Sequence, residues 1–255
     1  MARSELALTP LAGTANSLAE KVMDRIRIAV HTGQLSPGVL YSAYQIAEEL
    51  KVSRSPVREA LLRLAEVGVV RLERNRGFRI IVPQPREIAE IFAIRLAIEL
   101  PAVRRVARDA DRQIIDQIRQ EMDTLQRAAL AGDEEVFSAQ DQRLHDLVLA
   151  AAGNARARTI VHDLRETTRL LGATSADRSR SLFAIYAEHE PVVEAVTRGD
   201  ADAAEAAMRW HLVHTGRLLV EQAARDLGGT YDIDQIWAGC IDSRIRLSGG
   251  SGRSQ

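Results

Sequence analysis

Residues 42–82 read SAYQIAEELKVSRSPVREALLRLAEVGVVRLERNRGFRIIV, and the hydrophobic pattern changes within this stretch. In the first part, apolar residues recur at helical spacing and predict a short helix over residues 43–50. A second helix is predicted to begin after Ser53, whose side chain suits a helix N terminus, and to end at Gly68. In the second part, VVRLE and GFRIIV flank RNRG and predict a β-hairpin with Gly77 at or beside its turn.

An additional helix is predicted over residues 17–32, ahead of this stretch. Three helices followed by a hairpin is the element order of a winged helix-turn-helix, a fold that places its recognition helix in the major groove of DNA. Arg54 and Arg58 lie four residues apart on the third helix, away from its apolar stripe. Arginines suit base edges, and a helix N terminus with hydroxyls suits phosphates. An ordinary helix with solvated arginines would explain the same spacing.

The rest of the chain, up to about residue 227, has a helical pattern. Short breaks separate the helices, as in an antiparallel bundle. Six helices are predicted, near residues 86–108, 112–131, 133–152, 154–173, 178–198 and 201–227. The predicted fold class is therefore mainly α, with a winged helix-turn-helix followed by an all-α bundle. The predicted domains are an N-terminal tail over 1–16, the winged helix-turn-helix over 17–83, the helical domain over 84–228, and a partly disordered C-terminal extension over 229–255.

Composition supports a DNA-binding head on a helical body. Residues 1–83 contain 12 basic and 8 acidic side chains, whereas the remainder contains 22 basic and 27 acidic ones. No run of about 18 apolar residues is present, so no membrane span is expected. The N terminus lacks the pattern of a secretory signal, and a single cysteine, Cys240, fits a reducing compartment. These features predict a cytoplasmic protein.

Four residues of the helical domain stand out because polar groups occur on apolar faces. Asp141 and His145 lie four residues apart at the edge of one helix's apolar face, and His189 and His211 lie on the apolar sides of two later helices. Histidine and carboxylate ligands without cysteine suit Zn²⁺, Ni²⁺, Mn²⁺ or Fe²⁺. An ion pair between Asp141 and an arginine is the competing explanation, and the spacing by itself slightly favours it.

The pattern VSRSPVREAL, with the leucines and glycines that follow it, resembles the DNA-binding domain of the GntR superfamily of bacterial transcription regulators. The resemblance covers residues 17–83. Tyr44 departs from it, because family members often carry a charged residue at that position. The resemblance implies DNA contacts from six residues of the third helix and the wing: Ser53, Arg54, Ser55, Arg58, Arg76 and Gly77.

Three further segments, EIFAIRLAIELPAVRRVA, DQRLHDLVLAAAGN and EHEPVVEAVTRGDADAAEAAMRWHL, resemble the FCD effector domain of the FadR-type branch. The six predicted helices look more like the VanR-type members than the seven-helix members that bind acyl-CoA. The resemblance implies that Arg95 contacts an effector carboxylate, although an intrahelical pair with Glu99 is an equal alternative. It also implies one divalent metal ion per chain, with zinc expected in the purified protein, held by Asp141, His145, His189 and His211.

The sequence therefore predicts a transcription regulator, with repression the expected sign, rather than an enzyme. The expected partners are a pseudo-palindromic operator in double-stranded DNA, a second copy of the chain and a small organic acid that completes the metal's coordination. Two alternatives remain open at this point, a regulator with a purely structural metal and a metal-dependent enzyme that acts on a small carboxylate. No convincing nucleophile or general base accompanies the four predicted ligands, which disfavours the enzyme.

Overall fold

A computed structural model describes residues 17–31, 34–66, 68–81, 84–170, 180–228 and 230–241. The chain divides into two compact units at residues 80 and 81. The predicted tail over 1–16, residues 82 and 83 and the last fourteen residues lie outside the described ranges. Among the described residues, no helix is both long and apolar enough to cross a membrane.

The first unit has the order of elements predicted for a winged helix-turn-helix, with one added strand. That strand, β1, is two residues long, which is too short for the sequence pattern to indicate it. The sheet is antiparallel in the order β1-β3-β2. The elements are α1 (Leu18–His31), β1 (Leu40–Tyr41), α2 (Ala43–Glu49), α3 (Arg54–Glu66), β2 (Val70–Glu73) and β3 (Gly77–Ile80).

The apolar stripe of α3 forms the core of this unit, as its spacing predicts. Val57 and Leu64 are fully buried, and Leu61 is nearly so. Ser42 caps α2 in a reciprocal capping box with Gln45, which fixes where α2 begins. Since the apolar stripe of α3 faces the core, the opposite, polar face of α3 lies on the surface.

The second unit is a bundle of helices whose described positions agree closely with the six that were predicted. The predicted ends at residues 173 and 178 lie in the segment 171–179, outside the described residues. The helices are α4 (Pro85–Asp109), α5 (Arg112–Ala131), α6 (Glu134–Ala151), α7 (Ala155–Leu170), α8 (Leu182–Arg198), α9 (Ala201–Asp226) and α10 (Ile233–Cys240).

The short helix α10 lies within the predicted C-terminal extension and packs on α4 and α9. Trp237 is buried, and its ring centroid lies 6.4 Å from that of Phe92 on α4. Gly216 of α9 makes room for it, since a Cβ there would lie 2.5 Å from the Trp237 ring. The packed body therefore continues beyond residue 228, and α10 contributes to its hydrophobic core.

Candidate metal centre and DNA-binding surface

Three histidines from three helices meet inside the second unit. His145 of α6 and His189 of α8 are each 1% exposed, and His211 of α9 is 3% exposed. One ring nitrogen from each histidine lies within 4.8 Å of the other two. Lone histidines on apolar faces are difficult to interpret, but three that converge in a buried space form a potential metal site.

The Nδ1 atom of each histidine is engaged by an acceptor. His145 Nδ1 lies 2.5 Å from Glu99 Oε2, and His211 Nδ1 lies 3.0 Å from Glu188 Oε2. His189 Nδ1 donates to the backbone carbonyl of Ile185 at 2.9 Å. A carbonyl can only accept, so His189 Nδ1 is the donor of this hydrogen bond, and its Nε2 atom is left to face the other histidines. Such outer contacts are the usual way in which a protein orients a metal-binding imidazole.

Asp141 lies beside this cluster and takes part in two kinds of contact. Its Oδ1 atom is 3.0 Å from His189 Nε2, and its Oδ2 atom accepts a hydrogen bond from Arg165 of α7. The ion pair with an arginine that was considered from the sequence is therefore present, and the same carboxylate also lies beside one of the clustered histidines. Asp141 is nevertheless outside the group of ligand atoms that all lie within 4.8 Å of one another, which consists of the three histidines.

The arrangement fits a cation because ring nitrogens and a carboxylate oxygen come close together in a buried space. Asp141 Oδ1 is buried and has no hydrogen-bond partner with acceptable geometry among the described residues, although His189 Nε2 is close. His145 Nε2 lies 3.4 Å from His189 Nε2. Acceptor atoms that face each other in a buried space are unfavourable unless a positive charge lies between them. These residues would therefore fit a divalent metal ion.

The protonation states also favour metal binding. Burial lowers the pKa of His145 to about 4, with Arg165 acting in the same direction. Burial and the neighbouring histidines hold the pKa of His211 well below its ordinary value. Burial alone would raise the pKa of the Asp141 carboxyl, but Arg165 and His189 outweigh it and hold that pKa well below its usual range. At neutral pH these two histidines are neutral and Asp141 is anionic, as ligands must be.

A ring of buried charges surrounds the histidines. Arg180 donates to Glu188, and Arg165 also donates to Gln142 at 2.9 Å. Burial raises the pKa of Glu188 despite Arg180, whereas Arg95 and His145 overcome burial and keep the pKa of Glu99 low. From the sequence, Arg95 was predicted as an effector contact and Glu99 was considered as its intrahelical partner, whereas Gln142, Arg165, Arg180 and Glu188 were assigned no role at the site. Three arginines pair with three carboxylates here: Arg95 with Glu99, Arg165 with Asp141, and Arg180 with Glu188.

Arg95 of α4 is 3% exposed and pairs with Glu99 one turn later, Nε to Oε1 at 2.7 Å. The intrahelical pair considered from the sequence is therefore present. The guanidinium also lies 4.8 Å from the centroid of the Phe92 ring. Its Nη2 atom is buried and has no hydrogen-bond partner among the described residues. A buried charged donor without an acceptor is costly, so this atom suits an anionic ligand.

Two other histidines lie near the cluster without joining it. His162 of α7 is partly exposed and lies 2.9 Å from Asp146, which raises its pKa. His214 lies 3.7 Å from Glu188 Oε1 and stacks on Trp210. Neither histidine belongs to the group of close ligand atoms.

The predicted DNA-contacting residues of α3 lie on the surface of the first unit. Ser53, Arg54, Ser55 and Arg58 are all exposed around the first turns of α3. The Arg54 guanidinium lies 4.8 Å from the centroid of the Tyr44 ring on α2. The residue that departs from the family pattern therefore contacts one of the two arginines that were predicted to read DNA.

Gly77 lies directly beside the turn of the wing, as the sequence predicts. Residues 74–76 form the turn, and Asn75 adopts a positive φ of 58°. Gly77 begins β3 at φ 136°, and a Cβ there would lie 1.9 Å from the carbonyl oxygen of Tyr41. Packing against β1 therefore accounts for this glycine. Arg76 is exposed and lies 3.6 Å from Glu73, and the nearby Arg79 donates to the same carboxylate at 2.6 Å.

Each of the two units matches the model of a known protein family. Residues 18–80 match the model of the bacterial regulatory proteins of the gntR family. Residues 90–214 match the model of the FCD domain. The two matches cover the helix-turn-helix with its wing and the part of the bundle that contains all three clustered histidines.

Individual relatives agree with these matches. The chain is 30% identical over 200 residues to a probable D-xylose utilization operon transcriptional repressor of Paenarthrobacter nicotinovorans, covering 78% of this chain and 87% of the relative. It is 27% identical over 191 residues to the gluconate operon transcriptional repressor of Bacillus licheniformis, covering 73% and 78%. The solved structure of E. coli McbR/YncC has the same fold, with a TM-score of 0.66, 21% identity, and coverage of 82% of this chain and 99% of that one.

Proposed function

Because this chain belongs to the GntR family of transcription regulators and carries an FCD domain, we propose that a metal-bound carboxylate controls its binding to operator DNA. The observation that carries this proposal is the convergence of three buried histidines, with Asp141 Oδ1 buried beside His189 and without a hydrogen-bond partner among the described residues. The homologues and both families are transcription regulators and not enzymes, so the site is assigned to sensing.

The head would bind DNA through α3 and the wing. Arg54 and Arg58 are exposed on one face of α3 and suit the edges of guanine. Ser53 and Ser55, at the start of the helix, suit backbone phosphates. Two relatives are named as operon repressors, so repression is the proposed sign of regulation. A homodimer would place two heads on the half-sites of a pseudo-palindromic operator.

The metal would be held by His145, His189 and His211, with Asp141 as a fourth ligand. Zn²⁺, Ni²⁺, Mn²⁺ and Fe²⁺ all accept such donors, with zinc proposed for the purified protein. A bound ion would supply a Lewis-acid centre for a carboxylate oxygen. Glu99 and Glu188 would keep two of the imidazoles oriented through their Nδ1 atoms.

The effector would be a small organic acid. Each of the three arginine–carboxylate pairs around the site is neutral as a pair, so a bound divalent ion would add two positive charges that an anion can neutralise. Arg95 Nη2 offers a buried donor for a second oxygen of that anion. The cavity beside His145 and His189 on the apolar side is only about 10 Å³, so the proposed anion would bind on the arginine side. The names of the two relatives, which mention D-xylose and gluconate operons, favour sugar-derived acids within this class.

Regulation requires that the effector binds one arrangement of the protein better than another. The ligands lie on α6, α8 and α9, and the outer contacts extend to α4 and α7. A ligand that ties these helices together would therefore act on most of the body. A purely structural metal is the competing assignment, and it predicts that removal of the metal destabilises the body without affecting any effector response.

The test compares the metal content of the purified wild-type chain with that of His189→Ala and of His162→Gln, a histidine outside the cluster. We expect one equivalent in the wild type and in His162→Gln, and a large loss in His189→Ala. DNA binding is then measured with gluconate, lactate and benzoate, with and without metal. Equal metal content in all three proteins would refute the metal site, and a metal-loaded protein without any carboxylate response would favour a structural metal.

A further inference from the structure

A line of hydrogen-bonded side chains joins the proposed metal ligand Asp141 to the surface of the helical body. Arg165 of α7 donates to Asp141 and, through its Nε atom, to Gln142 Oε1 at 2.9 Å. Gln142 Nε2 in turn lies 2.8 Å from His162 Nδ1. Gln142 and Arg165 are each 8% exposed, whereas the side chain of His162 is 44% exposed. His162 is therefore the end of this line that protons from solvent can reach.

The amide of Gln142 can face in only one direction while it contacts Arg165. A guanidinium has donors and no acceptor, so the carbonyl oxygen of Gln142 must face Arg165 and its NH₂ group must face His162. The same NH₂ group lies 3.5 Å from Asp146 Oδ1, which also accepts. A half-turn of the amide would place its NH₂ group against the guanidinium, and two donors would then oppose each other.

One nitrogen atom of His162 faces two groups that require opposite states of it. His162 Nδ1 lies 2.8 Å from Gln142 Nε2, which donates, and 2.9 Å from Asp146 Oδ2, which accepts. A neutral imidazole can leave Nδ1 without a proton and accept from Gln142. The protonated ring cannot accept, because both of its nitrogens carry protons, so it bonds to Asp146 and opposes the NH₂ group of Gln142.

The charges around His162 favour its protonated form. Asp146 from α6, together with Asp163 and Glu166 from α7, raises the pKa of His162 above its ordinary value, although burial acts in the opposite direction. Arg158, one turn earlier on α7, lies 4.0 Å from the same Asp146 oxygen and competes for it. Helix α4 also packs on α7 but supplies none of these charged groups. His162 therefore takes up its proton near neutral pH.

We propose that Gln142 is a positioning residue of the metal site, and that a proton on His162 weakens metal binding by displacing the amide that holds Arg165 against Asp141. The protonated ring opposes the NH₂ group of Gln142, and a turned amide no longer offers its oxygen to Arg165. Arg165 then loses the contact that fixes the position from which it orients Asp141. This inference rests on the proposed metal site and adds a group outside it that makes metal binding sensitive to pH.

The first test measures the zinc affinity of the full chain by competition with a chromophoric chelator, between about pH 6 and pH 8. Over this range the wild type should lose about three-fold or more affinity beyond the loss in His162→Gln, whose amide can accept from Gln142 and cannot take up a proton. The pKa of His145 is about 4 and that of His211 is well below its ordinary value, so neither changes charge in this range. Parallel pH profiles of the two proteins would overturn the inference.

A permanent positive charge at position 162 should give the opposite result. His162→Lys keeps a donor opposite Gln142 at every pH, so at about pH 8 it should bind zinc about three-fold or more weakly than the wild type. Thr159→Lys adds the same charge to an exposed position of α7 one turn away and should bind zinc as the wild type does. Equal losses in the two lysine variants would assign the effect to charge repulsion and overturn the role of Gln142.

The second test follows the proton on His162 by NMR of its imidazole, assigned by comparison with His162→Gln. Because coupling is reciprocal, zinc should lower the pKa of His162 in the wild type. Gln142→Met has a similar length but no hydrogen-bonding group, so it should abolish this response and weaken zinc binding. Gln142→Glu should restore zinc binding, because its oxygens again accept from Arg165, but not the response of His162.

Gln120→Glu, an exposed change on α5, is the matched control and should keep both the affinity and the response. Circular dichroism checks that each variant is folded. A zinc response of His162 that survives in both Gln142 variants would show that the amide does not carry the coupling, and would overturn the inference while leaving the metal site intact. A wild type that binds no zinc would instead refute the proposed metal site.

Discussion

His145 Nδ1 lies 2.5 Å from Glu99 Oε2, a contact that joins α6 to α4 inside the helical body. Glu99 also accepts from Arg95, so one carboxylate connects the proposed metal ligand to the proposed effector contact. The pKa of Glu99 is held low by Arg95 and His145 despite burial, so the carboxylate is charged at neutral pH. We therefore expect Glu99 to position two side chains, the proposed metal ligand His145 and the proposed effector contact Arg95.

Replacement of Glu99 by glutamine tests that role. The amide oxygen still accepts from His145, but the negative charge that strengthens the imidazole as a ligand is lost. We expect metal affinity to fall by about ten-fold or more, the usual range for an outer carboxylate. Competition with a chromophoric chelator measures the affinity, and Glu194→Gln, on the surface of α8, serves as the control. Unchanged affinity in Glu99→Gln would show that the contact is only a packing feature.

Metal removal should destabilise the helical body. An ion that binds only the folded state at one hundred times its dissociation constant adds about 2.7 kcal/mol to the free energy of unfolding. Thermal unfolding with Zn²⁺ and with excess chelator measures the difference. His189→Ala should abolish it and His162→Gln should retain it. A zinc-dependent shift that survives in His189→Ala would place the ion elsewhere.

Arg95 Nη2 has no hydrogen-bond partner among the described residues, so it is available to an effector. We therefore expect a change at Arg95 to weaken effector binding without weakening metal binding. Arg95→Lys keeps a positive charge beside Glu99, so the buried carboxylate remains compensated, but it removes the second donor group. A hydrogen bond to a charged group contributes about 1.5–3 kcal/mol, which corresponds to roughly ten-fold or more in affinity. Titration of the metal-loaded protein with the most effective carboxylate of the panel measures this loss. Arg119→Lys on α5 should behave as the wild type, and full effector affinity in Arg95→Lys would contradict the assignment.

The contact between Tyr44 and Arg54 predicts an unusual mutational pattern in the head. Arg54→Ala and Arg58→Ala should each weaken operator binding by about 1–3 kcal/mol if they contact bases. Tyr44→Leu removes the ring beneath Arg54 and should cost about 0.5–1 kcal/mol, whereas Tyr44→Phe should cost less. Fluorescence anisotropy on a selected operator at several salt concentrations separates base contacts from phosphate contacts. Equal losses for Leu and Phe at position 44 would instead assign the effect to the phenol hydroxyl.

Two glycines provide a stability test of the docked helix α10. A Cβ at Gly216 would lie 2.5 Å from Trp237 and 2.7 Å from Phe92, whereas a Cβ at Gly239 meets nothing within 4 Å. Gly216→Ala should therefore destabilise the body by about 1–3 kcal/mol through overpacking. Gly239→Ala, inside α10 and exposed, should stabilise that helix by up to about 1 kcal/mol. Chemical denaturation measures both, and a neutral Gly216→Ala would show that Trp237 is not fixed against α9.

Local patterns in the sequence were sufficient for the fold class. The winged helix-turn-helix follows from apolar spacing, capping residues and turn residues, which act over a few neighbours along the chain. The helices of the body follow from the same signals, and the inward direction of His145, His189 and His211 follows from their positions on apolar faces. The short strand β1 and the docking of α10 could not be predicted, because each depends on contacts with distant residues.

The candidate site shows what local sequence patterns cannot predict. The sequence by itself determined that an acid and three histidines face the interior of the helical body, because a helix turns its apolar side inward whatever it packs against. Only the tertiary structure decided which groups meet them. Glu99 is 46 positions from His145, and Arg165 is 24 positions from Asp141. Helical periodicity gives the direction of a side chain but not the identity of its neighbour, since the neighbour is set by how separate helices pack.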